Sequence, residues 1–170
     1  MIRVASEADW TAIPEVHRAA FGPREGDEVA RIARELHDRP DLHEPDLSFV
    51  AVEDERVVGH VMNTWSEIED SDVRVLQFSP LGVLPEYQRR GHGAALVRAS
   101  LEAVRARGEP VLVLEGDPKY YGRFGFVRAD EFGLLPPPEA LADWAFQVAV
   151  LDPEATLPRG RVVYSEPFRH

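Results

Sequence analysis

The stretch Gln88-Arg89-Arg90-Gly91-His92-Gly93-Ala94 holds the residue types that bind an anion. Glycines at 91 and 93 let the backbone approach a ligand closely, and an amphipathic pattern begins directly after them. A helix that starts there offers its first N–H groups without intrahelical partners and with a partial positive charge, so the loop reads as a phosphate site. No Gly-Lys-Ser/Thr follows the glycines, which disfavours the ATP and GTP loops of Walker A type. A dinucleotide-binding oxidoreductase is the nearer competitor, because Gly91-His92-Gly93 precedes a helix, a strand and an acid, Glu115, 24 positions after Gly91. Against it, the third glycine of that fingerprint falls on Leu96, and residues 84–90 separate strand from glycines where a short turn is needed. The plainest alternative is a glycine-started helix that packs on a sheet, with Arg89 and Arg90 as solvated charge.

The elements around this loop follow from periodicity and breakers. Ile2-Arg3-Val4-Ala5 reads as a strand, and Ser6 to Asp9 supplies N-cap chemistry for a helix to about Phe21. Gly22-Pro23 stops it, and a second helical segment over about 25–38 aligns Val29, Ile32, Ala33 and Leu36. Residues 39–46 carry two prolines and read as a loop. Leu47 to Val52 and Val57 to Met62, joined by an acidic turn, form an antiparallel hairpin; Val73 to Phe78 is a third strand. That strand runs on through Ser79-Pro80-Leu81-Gly82-Val83-Leu84, and Pro and Gly inside it predict a bulge or splayed edge with free backbone groups. Leu96, Val97, Leu101 and Val104 mark a helix that ends at Gly108 to Pro110, and Val111 to Leu114 is a strand buried on both faces, hence parallel to a neighbour. Tyr120 to Val127 gives a helical turn into a strand, and Ala145 to Leu151 is a last long strand.

At 170 residues the chain is long enough for one domain, 1–170, that buries roughly 70% of its unfolded surface. It contains no cysteine, which excludes disulfides, thiolate metal sites and a cysteine-bound thioester. A net charge of −11 argues against nucleic acid and anionic membranes and mildly favours a cationic small substrate. With no apolar run of the roughly 20 residues a spanning helix needs and no signal-peptide pattern, the expectation is a cytoplasmic protein. His37 and His43 lack the spacing of a zinc pair, and no metal is expected.

Leu81-Gly82-Val83-Leu84-Pro85-Glu86-Tyr87-Gln88-Arg89-Arg90-Gly91-His92-Gly93 resembles the acetyl-CoA-binding motif of the GNAT superfamily of N-acetyltransferases, Gln/Arg-x-x-Gly-x-Gly/Ala. Downstream, Tyr121-Gly122-Arg123-Phe124-Gly125-Phe126 is similar to the family's Tyr-x-x-x-Gly-Phe segment. Together these cover about positions 47–127, and Leu157 to Tyr164 is similar to one uncharacterised bacterial branch of the superfamily. The resemblance implies an α/β (α+β) fold. Its central mixed, mostly antiparallel sheet would be flanked by helices and splayed between the fourth and fifth strands.

The resemblance further implies that the pyrophosphate of CoA lies over Arg89, Arg90, Gly91, His92, Gly93 and Ala94, with His92 a replaceable side chain. The pantetheine arm would pair with Leu81, Gly82 and Val83, and the Val83 N–H or a neighbour would polarise the thioester carbonyl. The family's general acid maps onto Tyr121, four residues before Gly125; Tyr120 is its competitor, and packing beside Phe124 and Phe126 the plain alternative. A phenol with pKa near 10 keeps its proton at pH 7 and can give it to a departing thiolate. Glu115, Glu67, Glu69 and His60 are candidate bases without a motif, and His60 reads more readily as a hydrogen-bonded strand histidine. The implied activity is acetyl transfer from acetyl-CoA to a primary amine, of a small molecule or a peptide, by direct attack in a ternary complex. A non-catalytic acyl-CoA sensor is the alternative, and a homodimer through C-terminal strands is compatible with the family.

Overall fold

The computed structural model describes residues 1–169. They pack into two compact units, Met1–Thr64 with Phe78–Ser100, and Trp65–Gln77 with the chain from Leu101 onward. Hydrogen-bonded strand neighbours follow the order β1-β2-β3-β4-β5-β8-β6, where β1 is Ile2–Val4, β2 His43–Glu53, β3 Arg56–Ile68, β4 Arg74–Val83, β5 Val111–Glu115, β6 Val127–Arg128 and β8 Phe146–Val150. The short β7 (Leu134–Leu135) pairs with β9 (Gly160–Val163), which also pairs with β3. Registers β1–β2, β2–β3, β5–β8 and β6–β8 are antiparallel, and β4–β5 is parallel. With helices α1 (Ile13–His37) and α2 (His92–Ala106), this is the mixed, mostly antiparallel α/β architecture expected from the sequence.

In the first unit, Asp9 closes the turn before α1: it accepts from the Ser6 N–H at 2.7 Å and from Arg3 Nη1 and Nη2 at 2.7 and 2.9 Å. A 3-10 turn, Glu7–Thr11, therefore stands where the sequence suggested the start of a helix. α1 breaks at Gly22, whose φ of 80° and ψ of −175° are open to glycine, and Pro23 begins the second segment. Gly26, Ala30, Ala33 and Leu36 are buried while Val29 and Ile32 are half-buried, so the packed stripe uses smaller residues than expected. β2 begins at His43, inside the expected loop; Pro45 is accommodated at an irregularity between His43 and Ser48.

β3 also outruns its apolar pattern, which ends at Met62. Asn63 and Thr64 are buried polar residues, and the Asn63 amide is held by donating to the Leu47 carbonyl at 3.0 Å and to Ser100 Oγ at 2.8 Å. In the second unit, Ser66 on the same strand donates to Gln77 Oε1 at 2.9 Å. Val111, Val113, Phe146, Val148 and Val162 build that unit's core, each buried aliphatic side chain contributing about 1.5–3 kcal/mol. The expected doubly buried strand is β5, parallel to β4 and antiparallel to β8.

Candidate active site

In the first unit, β4 leads through a 3-10 turn at Pro85–Tyr87 into the loop before α2. Arg89 and Gly91 take left-handed φ of 64° and 89°, the kind of local geometry that turns successive amides toward one side as an anion-binding nest. The Ala95 N–H bonds the Gly91 carbonyl at 3.0 Å, so the amides of His92, Gly93 and Ala94 are those of the helix's first turn, which has no intrahelical acceptors. Arg89, Arg90 and Gly91 are exposed and His92, Gly93 and Ala94 half-buried, leaving the backbone reachable. The residues therefore fit a phosphate group.

Two side chains brace this loop. Gln88 Nε2 donates to the Val83 carbonyl at 2.9 Å, which ties the loop to the end of β4. Glu53, at the end of β2, accepts from Arg90 Nη1 at 2.5 Å and lies 3.2 Å from His92 Nε2. Arg90 also stands over the Tyr87 ring, 5.0 Å from its centroid. Sequence reasoning missed Glu53, whose position in an acidic turn gave no signal; the His92 ring beside it is largely covered, with 11% exposed.

Leu81 and Val83 are half-buried and Gly82 buried at the end of β4. The parallel register with β5 consists of Leu76 with Leu112 and Gln77 with Val113, while β4 continues to Val83. The stretch that the sequence marked as splayed thus lies beyond the parallel ladder. Gly82 is required where it stands, since a Cβ there would come within 2.8 Å of His17 Nδ1. His60 is fully buried, with Nδ1 2.8 Å from His17 Nε2 and Nε2 2.9 Å from Ser48 Oγ. Burial, with the neighbouring histidines, holds its pKa well below the ordinary value. It is the hydrogen-bonded histidine of the plainer reading.

The second unit carries the phenol. Tyr121 ends α3 (Pro118–Tyr121), started by the Asp117 side chain accepting from the Lys119 N–H at 2.9 Å. Its ring lies against Gly116, where a Cβ would be 2.5 Å from Tyr121 Cε2, and edge-on to Tyr120 and Phe126 at 4.9 and 5.9 Å. Burial pushes the Tyr121 pKa up to about 12, so the hydroxyl holds its proton throughout the neutral range. Tyr120 packs under Arg123, 4.4 Å from its ring centroid. Both oxygens of Glu115 are engaged: Oε1 accepts from the Tyr164 hydroxyl at 2.7 Å and Oε2 from the Leu141 N–H at 2.9 Å. That carboxylate fastens two chain segments, a role its sequence position did not reveal. Glu67 and Glu69 are exposed, on and just after β3. No group of histidines and acids suited to a metal occurs among the described residues, and no helix among them is long and apolar enough to cross a membrane.

A family model described as an acetyltransferase (GNAT) domain matches residues 1–129. The chain belongs to the GNAT acetyltransferases. An uncharacterised N-acetyltransferase of Escherichia coli, YjhQ, is 31% identical over 160 residues, covering 88% of this chain and 84% of its own. Among solved structures, the E. coli GNAT family N-acetyltransferase YhbS in complex with CoA superposes with a TM-score of 0.88 at 30% identity, covering all of this chain and 92% of YhbS. A GNAT family acetyltransferase from Brucella melitensis in complex with acetyl-CoA gives 0.79 at 29% identity, covering 99% and 97% of the two chains. This GNAT protein is therefore an acyltransferase, and the dinucleotide reading of the glycine loop falls away.

Proposed function

We propose that this GNAT protein transfers the acetyl group of acetyl-CoA to a primary amine by direct attack in a ternary complex. The observation that carries the reading is the continuity of loop and strand: the amides at the start of α2 and the end of β4 are tied through Gln88 to Val83. The loop of Arg89 to Ala94 takes the pyrophosphate, and Leu81 to Val83 offer strand backbone to the pantetheine amides. Bound acetyl-CoA supplies the activated acyl group. A backbone N–H at Val83 or its neighbour stabilises negative charge developing on the thioester oxygen. Tyr121, protonated up to about pH 12, gives its proton to the leaving thiolate. Glu115, whose two oxygens accept from the Leu141 N–H and the Tyr164 hydroxyl, keeps a further lone pair on each oxygen and is the candidate base.

The test is release of free thiol from acetyl-CoA in the presence of a panel of amines, read with a thiol reagent to which this cysteine-free chain contributes nothing. Amine-dependent release supports the reading. Binding of acetyl-CoA with no release for any amine identifies a sensor instead.

A further inference from the structure

The segment Leu157 to Tyr164 has no part in the chemistry above, yet it holds the candidate base in two ways. Its strand, β9, ends at Val163, and Tyr164 follows, 6% exposed, with its ring tilted against Phe146 and Phe168 at centroid distances of 6.3 and 5.8 Å. From that packed position its hydroxyl donates to Glu115 Oε1 at 2.7 Å. Three residues earlier, Arg161 Nη1 donates to the Pro136 carbonyl at 2.6 Å. Pro136 is the root of a turn in which the Ala140 N–H bonds the Pro137 carbonyl at 3.0 Å, and the next N–H, that of Leu141, donates to Glu115 Oε2 at 2.9 Å. Tyr164 thus holds one carboxylate oxygen directly, and Arg161 anchors the turn that holds the other. All of these donors lie beyond residue 129, where the matched domain ends.

Two donors on two oxygens fix the plane of the carboxylate. Each oxygen has two lone pairs and uses one here, so Glu115 keeps an acceptor position on each oxygen while losing its freedom to turn. The side chain is half-buried rather than closed off, and its bond to Leu141 lies at the exposed surface. The backbone beneath it is set as well: Glu115 pairs with Phe146 on β8, the Gly116 N–H bonds the Ala145 carbonyl at 2.9 Å, and Gln147 Nε2 donates to the Gly116 carbonyl at 3.0 Å. Gly116 in turn lies against the Tyr121 ring, so the carboxylate and the phenol flank one residue. Burial, with the Glu115 charge, pushes the Tyr164 pKa above the ordinary phenol value, and its hydroxyl remains a donor throughout the neutral range.

We propose that Tyr164, together with Arg161 acting through the turn from Pro136 to Leu141, positions the Glu115 carboxylate as the base of acetyl transfer. The inference rests on the acyl-transfer reading. As the nitrogen of the neutral amine bonds to the acyl carbon, its N–H breaks and the proton joins a free lone pair of Glu115, directly or through one water. The C–S bond breaks, and the thiolate takes the Tyr121 proton. Glu115 then releases its proton to solvent and Tyr121 recovers one from it, so none is gained or lost. A carboxylate free to rotate meets the amine in only some of its orientations, whereas one held at both oxygens offers the same acceptor position each time.

The test follows thiol release at saturating acetyl-CoA, and acetyl-CoA affinity separately, with the most active amine of the panel and with hydroxylamine, a small amine that needs no shaped pocket. Glu115→Gln should lower the rate roughly 10²-fold. Tyr164→Phe keeps the packed ring and removes only the donor; it should lower the rate roughly tenfold with acetyl-CoA affinity unchanged. In the Glu115→Gln background the same change should alter the rate by less than about twofold, because Tyr164 acts only through the carboxylate. Arg161→Met, which frees the Pro136 carbonyl, should follow the same pattern and serves if Tyr164→Phe does not fold. A folded variant of either kind within about twofold of the parent, or one that loses as much in the Glu115→Gln background, overturns the positioning role and leaves acyl transfer standing. Glu115→Gln at the parent rate does the same. Acetyl-CoA binding with no protein-dependent release for hydroxylamine or any amine of the panel overturns positioning and acyl transfer together.

Discussion

Replacing Gly82 with alanine probes the contact that sets α1 against β4. The new methyl would lie 2.8 Å from His17 Nδ1 and 3.3 Å from Ala20 Cβ. His17 cannot swing aside cheaply, because its Nε2 is held 2.8 Å from His60 in a fully buried site. Overpacking of this kind costs about 1–3 kcal/mol. For a chain of this length that is a drop in Tm of roughly 2–12 °C. Chemical and thermal melts of Gly82→Ala, His17→Ala and the double variant form a cycle. His17→Ala removes the ring that the methyl strikes, so the double variant should be more stable than the sum of the single effects by about 1 kcal/mol or more. Additivity within about 0.5 kcal/mol would show that the two residues do not press on each other, and the account of why residue 82 is glycine would be wrong.

Other consequences are measurable without an identified acceptor, apart from the last. Hydrogen bonds from Arg3 hold the Asp9 carboxyl down at about 2, and the side chain is only 8% exposed. A depressed carboxylate stabilises the fold above its unfolded pKa, near 3.8, and loses that contribution as pH falls through about 2. Asp9→Asn should therefore lose about 2 kcal/mol at pH 7, with the gap closing below about pH 4; an equal gap at pH 7 and pH 2 contradicts the pairing. Gly91→Ala meets open space but keeps a φ of 89°, so its cost is backbone strain of about 1–2 kcal/mol together with weaker CoA binding. A variant as stable and as tightly binding as the parent would remove the left-handed loop from the account. Tyr121→Phe should slow thiol release roughly 10²-fold with CoA affinity unchanged, and undiminished release removes Tyr121 as the acid.

The glycine loop was legible because its chemistry is written in consecutive residues: Gln88 to Ala94 form the loop and the first turn of α2, and β4 runs up to it as read. β5 was equally clear, since four apolar residues in a row leave a short strand no polar face. The second half of β3 was hidden because Asn63, Thr64 and Ser66 are polar yet buried, and their strand register depends on partners distant in sequence. The same holds for Glu53, which reaches residues 90 and 92, and for Glu115, which reaches 141 and 164. His17 carried no signal at all: a lone histidine in a helix gives no hint that it meets His60, 43 positions away.

The central claim is that the loop of Arg89 to Ala94 binds acetyl-CoA. Thermal melting with acetyl-CoA, CoA, NADH and ATP in parallel tests it most directly. A ligand at about 100 times its Kd adds roughly 2.7 kcal/mol to the folded state, or about 5–11 °C in Tm for a chain of this size. The account predicts that acetyl-CoA and CoA raise the midpoint by that amount, that NADH and ATP do not, and that Gly91→Ala blunts the rise. A shift with NADH alone, or no shift with any of the four, would contradict it.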